Sequence, residues 1–382
     1  MKVGDWLRLL GAISLTAAAN LTIPSPKRHL TWGDVNVLHT TDIHGWILGH
    51  PKPVFPELNW SGTFGDFWSF VNHMRAYAEK EKKDLFLVDS GDRRIGHGLT
   101  DRLLPGTVNG QLVVQMYQHL EYDVVVPGNH DVEDPAVVDW NSKNLTKEWG
   151  DHFVTSNIRH NTSIPLDPKS DNRPFYGGSR VAQDSNKNGL LDIISLRTMI
   201  TQNWFLESLK KEVDVFLVVG HMESEKPCSE DGWIYVYDAI RKVHPLTPIL
   251  MFGGHTHKRA CTRFTSGPNH YKRSMLLQSG RYFDTVGWMS TTLDDNANGQ
   301  HLKMTRRYLD NNVVTYKFHS NKTSDDDFHT VAGISMTDRI YGIDRAEGLS
   351  QLYGFLKGDY FLDRKKWDAG DSVEGKNAGF RH

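Results

Sequence analysis

Seven residues have the types and spacing to hold metal: Asp42 and His44, Asp92, Asn129, His221, and His255 and His257. Carboxylate oxygens together with imidazole nitrogens suit Zn, Mn or Fe. Asp42 and His44 stand two apart, as do His255 and His257, so on an extended segment each pair points to one side. Asn129 is an unusual neutral ligand, and His130 beside it is placed to act on whatever a metal holds. Taken singly, each has an ordinary account. Asp after a strand commonly forms an Asx turn or caps a helix, and a lone His is commonly a surface or satisfied core residue. The chain-order recurrence D-x-H, G-D, G-N-H-D, G-H, G-H-x-H is what points to a metal centre.

Each ligand follows a short apolar run: Val35–Leu38, Leu85–Val88, Val124–Val126, Val215–Val219 and Ile249–Phe252. Runs of this length read as buried strands, most naturally of a parallel sheet. Ligands of open α/β sheets bind outside the carboxyl ends of such strands. Helix signals lie between the runs. Asp66 to Lys80 places Phe67, Phe70, Val71, Met74, Tyr77 and Ala78 on one face. Asn109 is a candidate cap for a second helix carrying Leu112, Val113, Met116, Tyr117 and Leu120. Asp134-Pro135 opens a third; Thr201 to Glu212 and Ile234 to Val243 are two more. Strand and helix in alternation argue βαβ units. After Gly254 the pattern changes to strands at Ser274–Gln278, Thr285–Thr292 and His301–Leu309, with a hairpin loop at Asp294–Gly299. Residues 165–188 read as an exposed insertion, and Ala346 to Leu356 as one amphipathic helix. Trp367 to His382 shows no apolar face, which predicts a disordered tail.

A net charge of −2 over 382 residues, with no basic block, gives no sign of a nucleic-acid partner. Lys2 and Arg8 lead a short apolar stretch ending in Ala17-Ala-Ala19, the pattern of a cleaved signal peptide over residues 1–19. No later stretch is long and apolar enough for a transmembrane helix. Sequons at Asn20, Asn59, Asn144, Asn161 and Asn321 fit a secretory, extracellular or vacuolar route. The two cysteines, Cys228 and Cys261, follow His221 and His257 by a few residues. In a secreted chain such a pair invites one disulfide; the alternative is two free thiols.

The stretches Thr40-Thr-Asp-Ile-His-Gly-Trp46, Leu87-Val-Asp-Ser-Gly-Asp-Arg93, Pro127-Gly-Asn-His-Asp131, Gly253-Gly-His-Thr-His257 and Ser279-Gly-Arg-Tyr-Phe-Asp-Thr-Val-Gly-Trp288 resemble the calcineurin-like metallophosphoesterase superfamily. Within it the chain is similar to the 5′-nucleotidase-like branch and to a fungal secreted or vacuolar group. The resemblance covers about Val35 to Leu309. It implies an α/β sandwich of two mixed β-sheets flanked by helices, with a catalytic domain over residues 20–320 and a partial C-terminal region over 321–382. It also implies two divalent ions, one on Asp42, His44, Asp92 and His257, the other on Asp92, Asn129, His221 and His255, with Asp92 shared. Water activated between the ions would attack phosphorus in line. His130 would be the general acid, with Asp131 either orienting it or serving structure. The helix opening at Pro135 would aim its positive end at phosphate. For Arg93, Arg94, His97 and Arg281 the choice lies between a substrate contact and a surface salt bridge. The implied reaction is hydrolysis of a phosphate monoester, with nucleotides among the candidate substrates. The rivals are a phosphodiesterase or sugar-nucleotide hydrolase, and a catalytically silent binding protein of the same fold. The branch usually adds a second domain that stacks the nucleobase; here only some seventy residues follow the catalytic body.

Overall fold

Five strands hydrogen-bond in the order Met304–Asp310, Thr285–Thr291, Val35–Thr40, Asp84–Asp89 and Val124–Val125, and four more in the order Phe216–Val219, Ile249–Gly253, Ser274–Ser279 and Arg259–Thr262. The computed structural model describes residues 22–349, except 51, 53–54, 161–190, 230–231, 265–272 and 294–301. The expected leader, the sequons Asn20 and Asn161, the 165–188 insertion, the 294–299 loop, most of the 346–356 helix and the C-terminal tail lie outside the described residues. In the first sheet β1 (Val35–Thr40), β2 (Asp84–Asp89) and β3 (Val124–Val125) are parallel. β10 (Thr285–Thr291) and β11 (Met304–Asp310) join antiparallel. A separate antiparallel pair is formed by β4 (Ile158–His160) and β5 (Leu191–Ile193). In the second sheet β6 (Phe216–Val219), β7 (Ile249–Gly253) and β9 (Ser274–Ser279) are parallel, and β8 (Arg259–Thr262) is antiparallel. The apolar runs therefore divide between two mixed sheets rather than forming one.

Strand alternation decides what fills the space between the sheets. Val35 and Val37 of β1, Leu250 and Phe252 of β7, and Met275 and Leu277 of β9 share one core. The alternate residues Ile249, Met251 and Leu276 turn outward against Val236, Tyr237 and Ile240. Both faces of the central strands are covered, which is why they read as unbroken apolar runs.

Helix α1 (Phe64–Glu81) packs beside β2 of the first sheet, with Phe67 edge-on to Phe283. It begins two residues before the expected Asp66, because Thr63 is the cap: its Oγ1 accepts from Asp66 N, and Asp66 Oδ2 accepts from Thr63 N. Asp66 is thus a capping-box partner. Helix α2 (Gln111–Gln118) is preceded by Gly110 at φ 65°, not capped by Asn109, whose carbonyl is taken by Arg94. Helix α3 (Pro135–Trp140) and helix α4 (Ile234–Val243) match their expected starts. Thr201 to Glu212 holds only the short turn of helix Asn203–Ser208.

Helix α5 (Val313–Ser320) and helix α6 (Val331–Glu347) close the described chain. One compact unit runs through Tyr341. The reason is a close helix crossing: a Cβ on Gly65 of α1 would lie 2.2 Å from Gly333 O, and one on Gly333 would lie 2.1 Å from Ser69 Oγ. The second unit, from Gly342, contributes the last turn of α6 and a turn closed by Leu349 N on Asp344 O.

The expected disulfide does not form. Cys261 sits on β8 opposite Leu277 and packs on the inter-sheet core, while Cys228 lies in an exposed turn, so both are free thiols. Of the described sequons, Asn321 is exposed at φ 58°, Asn59 is half-buried, and Asn144 donates its side-chain N–H to Trp140 O. No helix among the described residues is long and apolar enough to cross a membrane.

Candidate metal centre

The loops after β1, β2, β3, β6 and β7 meet at one edge of the sandwich and bring all seven expected ligands together. Convergence does not come from strand alternation. Asp42, His44, Asp92, His255 and His257 all hold positive φ, between 50° and 78°. Side chains other than Gly adopt this region rarely and at a cost of about 1–3 kcal/mol each. The cost is met by backbone hydrogen bonds between the loops: Asp42 N to Gly91 O, His44 N to Asp92 O, and His255 N to the Asp42 carboxylate.

Two ligand clusters result, Asp42 with His44 and His257, and Asp92 with His221 and His255. In the first, His44 Nε2 lies 3.1 Å from His257 Nε2, and His257 Nε2 lies 3.5 Å from Asp42 Oδ1. In the second, Asp92 Oδ2 is 2.9 Å from His221 Nε2, and His255 Nδ1 is 3.1 Å from Asn129 Oδ1. Asp92 Oδ2 also lies 3.8 Å from His44 Nε2, so one carboxylate faces both clusters. Every cluster draws ligands from both sheets.

The donor set fits divalent cations on two observations. His44 Nδ1 points at the carbonyls of Arg94 and Ile95, and His221 Nδ1 at the carbonyl of Ser90. Carbonyls only accept, so Nδ1 carries the proton and Nε2 is turned to the site in each ring. His221 Nε2 is buried, with the Asp92 carboxylate 2.9 Å away as its polar neighbour. Electrostatics agree. Burial opposes a charge on His221, yet Asp92 and Asp42 outweigh it and lift its pKa to about 10. The pocket thus demands positive charge at that place. Burial, partly offset by His221, raises Asp42 to about 7. Burial also works against the Asp92 charge, but His221 draws its carboxyl well below the usual range. Burial, with His221 and His44 respectively, lowers His255 and His257 to about 4, so both are neutral bases at neutral pH, as ligand nitrogens must be.

His130 stands at the rim, its ring 5.2 Å from that of His44, with its backbone N–H on Asp92 Oδ1. Its carboxylate partner is not Asp131. Glu133 Oε1 lies 2.8 Å from His130 Nδ1, with both side chains about one third exposed. Asp131 is turned inward instead. Its Oδ2 accepts from Asp92 N and Gly128 N and lies 3.3 Å from Arg93. A His followed by Glu three residues on, at the mouth of a loop, is the signal that reveals Glu133.

Arg93 and Arg94 are neither substrate contacts nor surface pairs. Both are buried, Arg93 between Asp89 and Asp131, and Arg94 on Asn141 and the Asn109 carbonyl. Arg281 lies at the rim, its guanidinium over Tyr282 and 3.5 Å from His257 Nδ1. His97 caps a short turn of helix and packs on Trp46. Helix α3 has six residues, and Asp134 already occupies its N-terminus by accepting from Ala136 N, so its end is not aimed at a ligand.

Residues 35–259 match the calcineurin-like phosphoesterase family model. The structure resembles that of the 5′-nucleotidase from Candida albicans, with TM-score 0.79 and 30% identity over 93% of this chain and 66% of that one. A 5′-nucleotidase precursor from Thermus thermophilus shares the fold at TM-score 0.53, with 15% identity over 81% of this chain and 59% of that one. A secreted protein of Arthroderma benhamiae is 28% identical over 97% of this chain and 61% of its own length. The chain thus spans under two thirds of these relatives.

Proposed function

Because the chain belongs to the calcineurin-like phosphoesterase family, we propose that it is a dinuclear-metal hydrolase of small phosphate monoesters, nucleotides among them. One observation carries this reading: the Asp92 carboxylate faces two buried ligand clusters, with His130 at their open side. Asp42, His44, Asp92 and His257 would hold one ion, and Asp92, Asn129, His221 and His255 the other. When bound, paired divalent cations polarise the phosphoryl group and lower the pKa of the attacking water. The donor set suits Zn, Mn or Fe alike.

The protein's own part is positioning and proton transfer. Glu133 takes Nδ1 of His130, which leaves Nε2 to protonate the departing oxygen of the ester. Asp131 and Arg93 hold the Asp92 loop from below. The leader-like residues 1–19, the sequons and the secreted Arthroderma relative support a secretory route, extracellular or vacuolar.

The test is turnover of an aryl phosphate monoester, an aryl diester, AMP and a sugar nucleotide, each with Mn or Zn and again with chelator. Chelator-sensitive hydrolysis that prefers the monoesters is the expected result. Preference for the diester or the sugar nucleotide would replace the monoester reading. Full metal occupancy with no turnover would leave a silent binding protein.

A further inference from the structure

Beneath the ligand loops, His39 of β1 is fully buried between the sheets with its ring against Phe252. Its Nε2 lies 2.9 Å from Ser90 Oγ and its Nδ1 2.7 Å from Ser279 Oγ. Ser90 Oγ donates its one proton to Gly253 O at 2.9 Å. Ser90 must therefore accept from His39, so Nε2 carries the imidazole proton. Burial drives the His39 pKa down to about 3, so the ring is neutral, and Nδ1 accepts from Ser279. The hydrogen-bond chain has one direction: Ser279 to His39, His39 to Ser90, Ser90 to Gly253.

Each end of that chain is tied to a ligand. The Ser90 carbonyl takes His221 Nδ1. Gly253 begins the turn that carries His255 and His257, and Ser279 begins the loop whose Tyr282 N–H donates to Asp42 O. Space has been kept for the arrangement. Gly287 of β10 pairs opposite His39, and a Cβ there would lie 2.1 Å from Ser279 Oγ.

We propose that His39, as a neutral Nε2–H imidazole between Ser90 and Ser279, is a positioning residue that sets the spacing of the metal-bearing loops of the two sheets. It touches no ligand. It acts through Ser90 on His221 and through Gly253 on the turn after β7. The inference rests on the two-metal reading, and its test separates the two.

Metal-free protein is titrated with Mn(II), with affinity read from bound metal and ion–ion spacing read from exchange coupling in the EPR spectrum. The wild type is expected to take up two coupled ions; if it takes up none, the two-metal reading fails first. In His39→Phe, which keeps the ring volume, Mn affinity should fall about 10–100-fold, the usual loss for a residue that orients metal ligands, and the coupling should change. His39→Gln keeps a donor and an acceptor and should recover most of the affinity. Gly287→Ala, which displaces the Ser279 hydroxyl, should shift the coupling in the same sense as His39→Phe. Two ions bound by His39→Phe with wild-type affinity and coupling would overturn the proposal. Should that variant not fold, Ser90→Ala cuts the same chain with every strand side chain in place, and wild-type binding there would overturn it equally.

Discussion

Charged residues lie in two regions of the centre, its rim and its floor, and they work differently. At the rim, His130, Glu133 and Arg281 are partly open to solvent; His130 meets Glu133, and Arg281 lies over Tyr282 and beside His257. In the floor, Asp89, Arg93, Arg94 and Asp131 are buried, and the Asp131 carboxylate accepts two backbone N–H groups while facing both guanidiniums. Asp131 and Glu133 are two residues apart in sequence, yet one is turned inward and the other meets His130 at the rim. The floor charges hold the ligand loops, and the rim charges stand where the proposed proton transfer would occur. Solvent can substitute for a contact at the rim but not for one in the floor.

Four substitutions break or sharpen that contrast. Asp92→Asn spans both regions and should have the largest effect, with loss of metal uptake and turnover together; metal retained at full occupancy would mean Asp92 is not the shared ligand. At the rim, His130→Gln should keep its metals and its thermal midpoint while kcat falls about 10²–10⁴-fold, the range for general acid–base help. Unchanged turnover would remove His130 from the mechanism. In the floor, Arg93→Met leaves two buried carboxylates short of a counter-charge and should cost about 3–5 kcal/mol in denaturant unfolding. A loss below about 1 kcal/mol there would erase the distinction from the rim. Glu133→Gln should be mildest. An exposed pair is worth about 0.2–1 kcal/mol, so kcat should drop by about fivefold at most. A drop equal to that of His130→Gln would make the carboxylate an obligatory partner.

The apolar runs and the residues that end them were readable because strand burial and ligand chemistry are local properties of the chain. The backbone that joins them was not. Asp42 and His44 converge from left-handed residues rather than an extended segment, and only contacts with Gly91 and Asp92 fix that. The role of Asp131 was open for the same reason: a buried Arg93 reached from the next turn decides it, and Arg93 reads as surface in sequence. The buried side of helix α6 mixes Met336 and Ile340 with Gly333 and Thr337, which meet α1 by close backbone approach and a hydroxyl contact, so its apolar stripe is interrupted in sequence. The disulfide expectation placed both cysteines on one rim; the inward pleat of Cys261 removes it.

The clusters draw on both sheets, and that has a kinetic consequence. His44 and His257 are 213 residues apart, as are Asp42 and His255. A loop of that length closes late, after the local strand pairs have formed. Cations therefore find no complete site in the transition state for folding, and whatever stability they add appears as slower escape from the native state rather than faster arrival. A cation bound there would act as a latch on a finished molecule, its residence adding to the lifetime of the folded state.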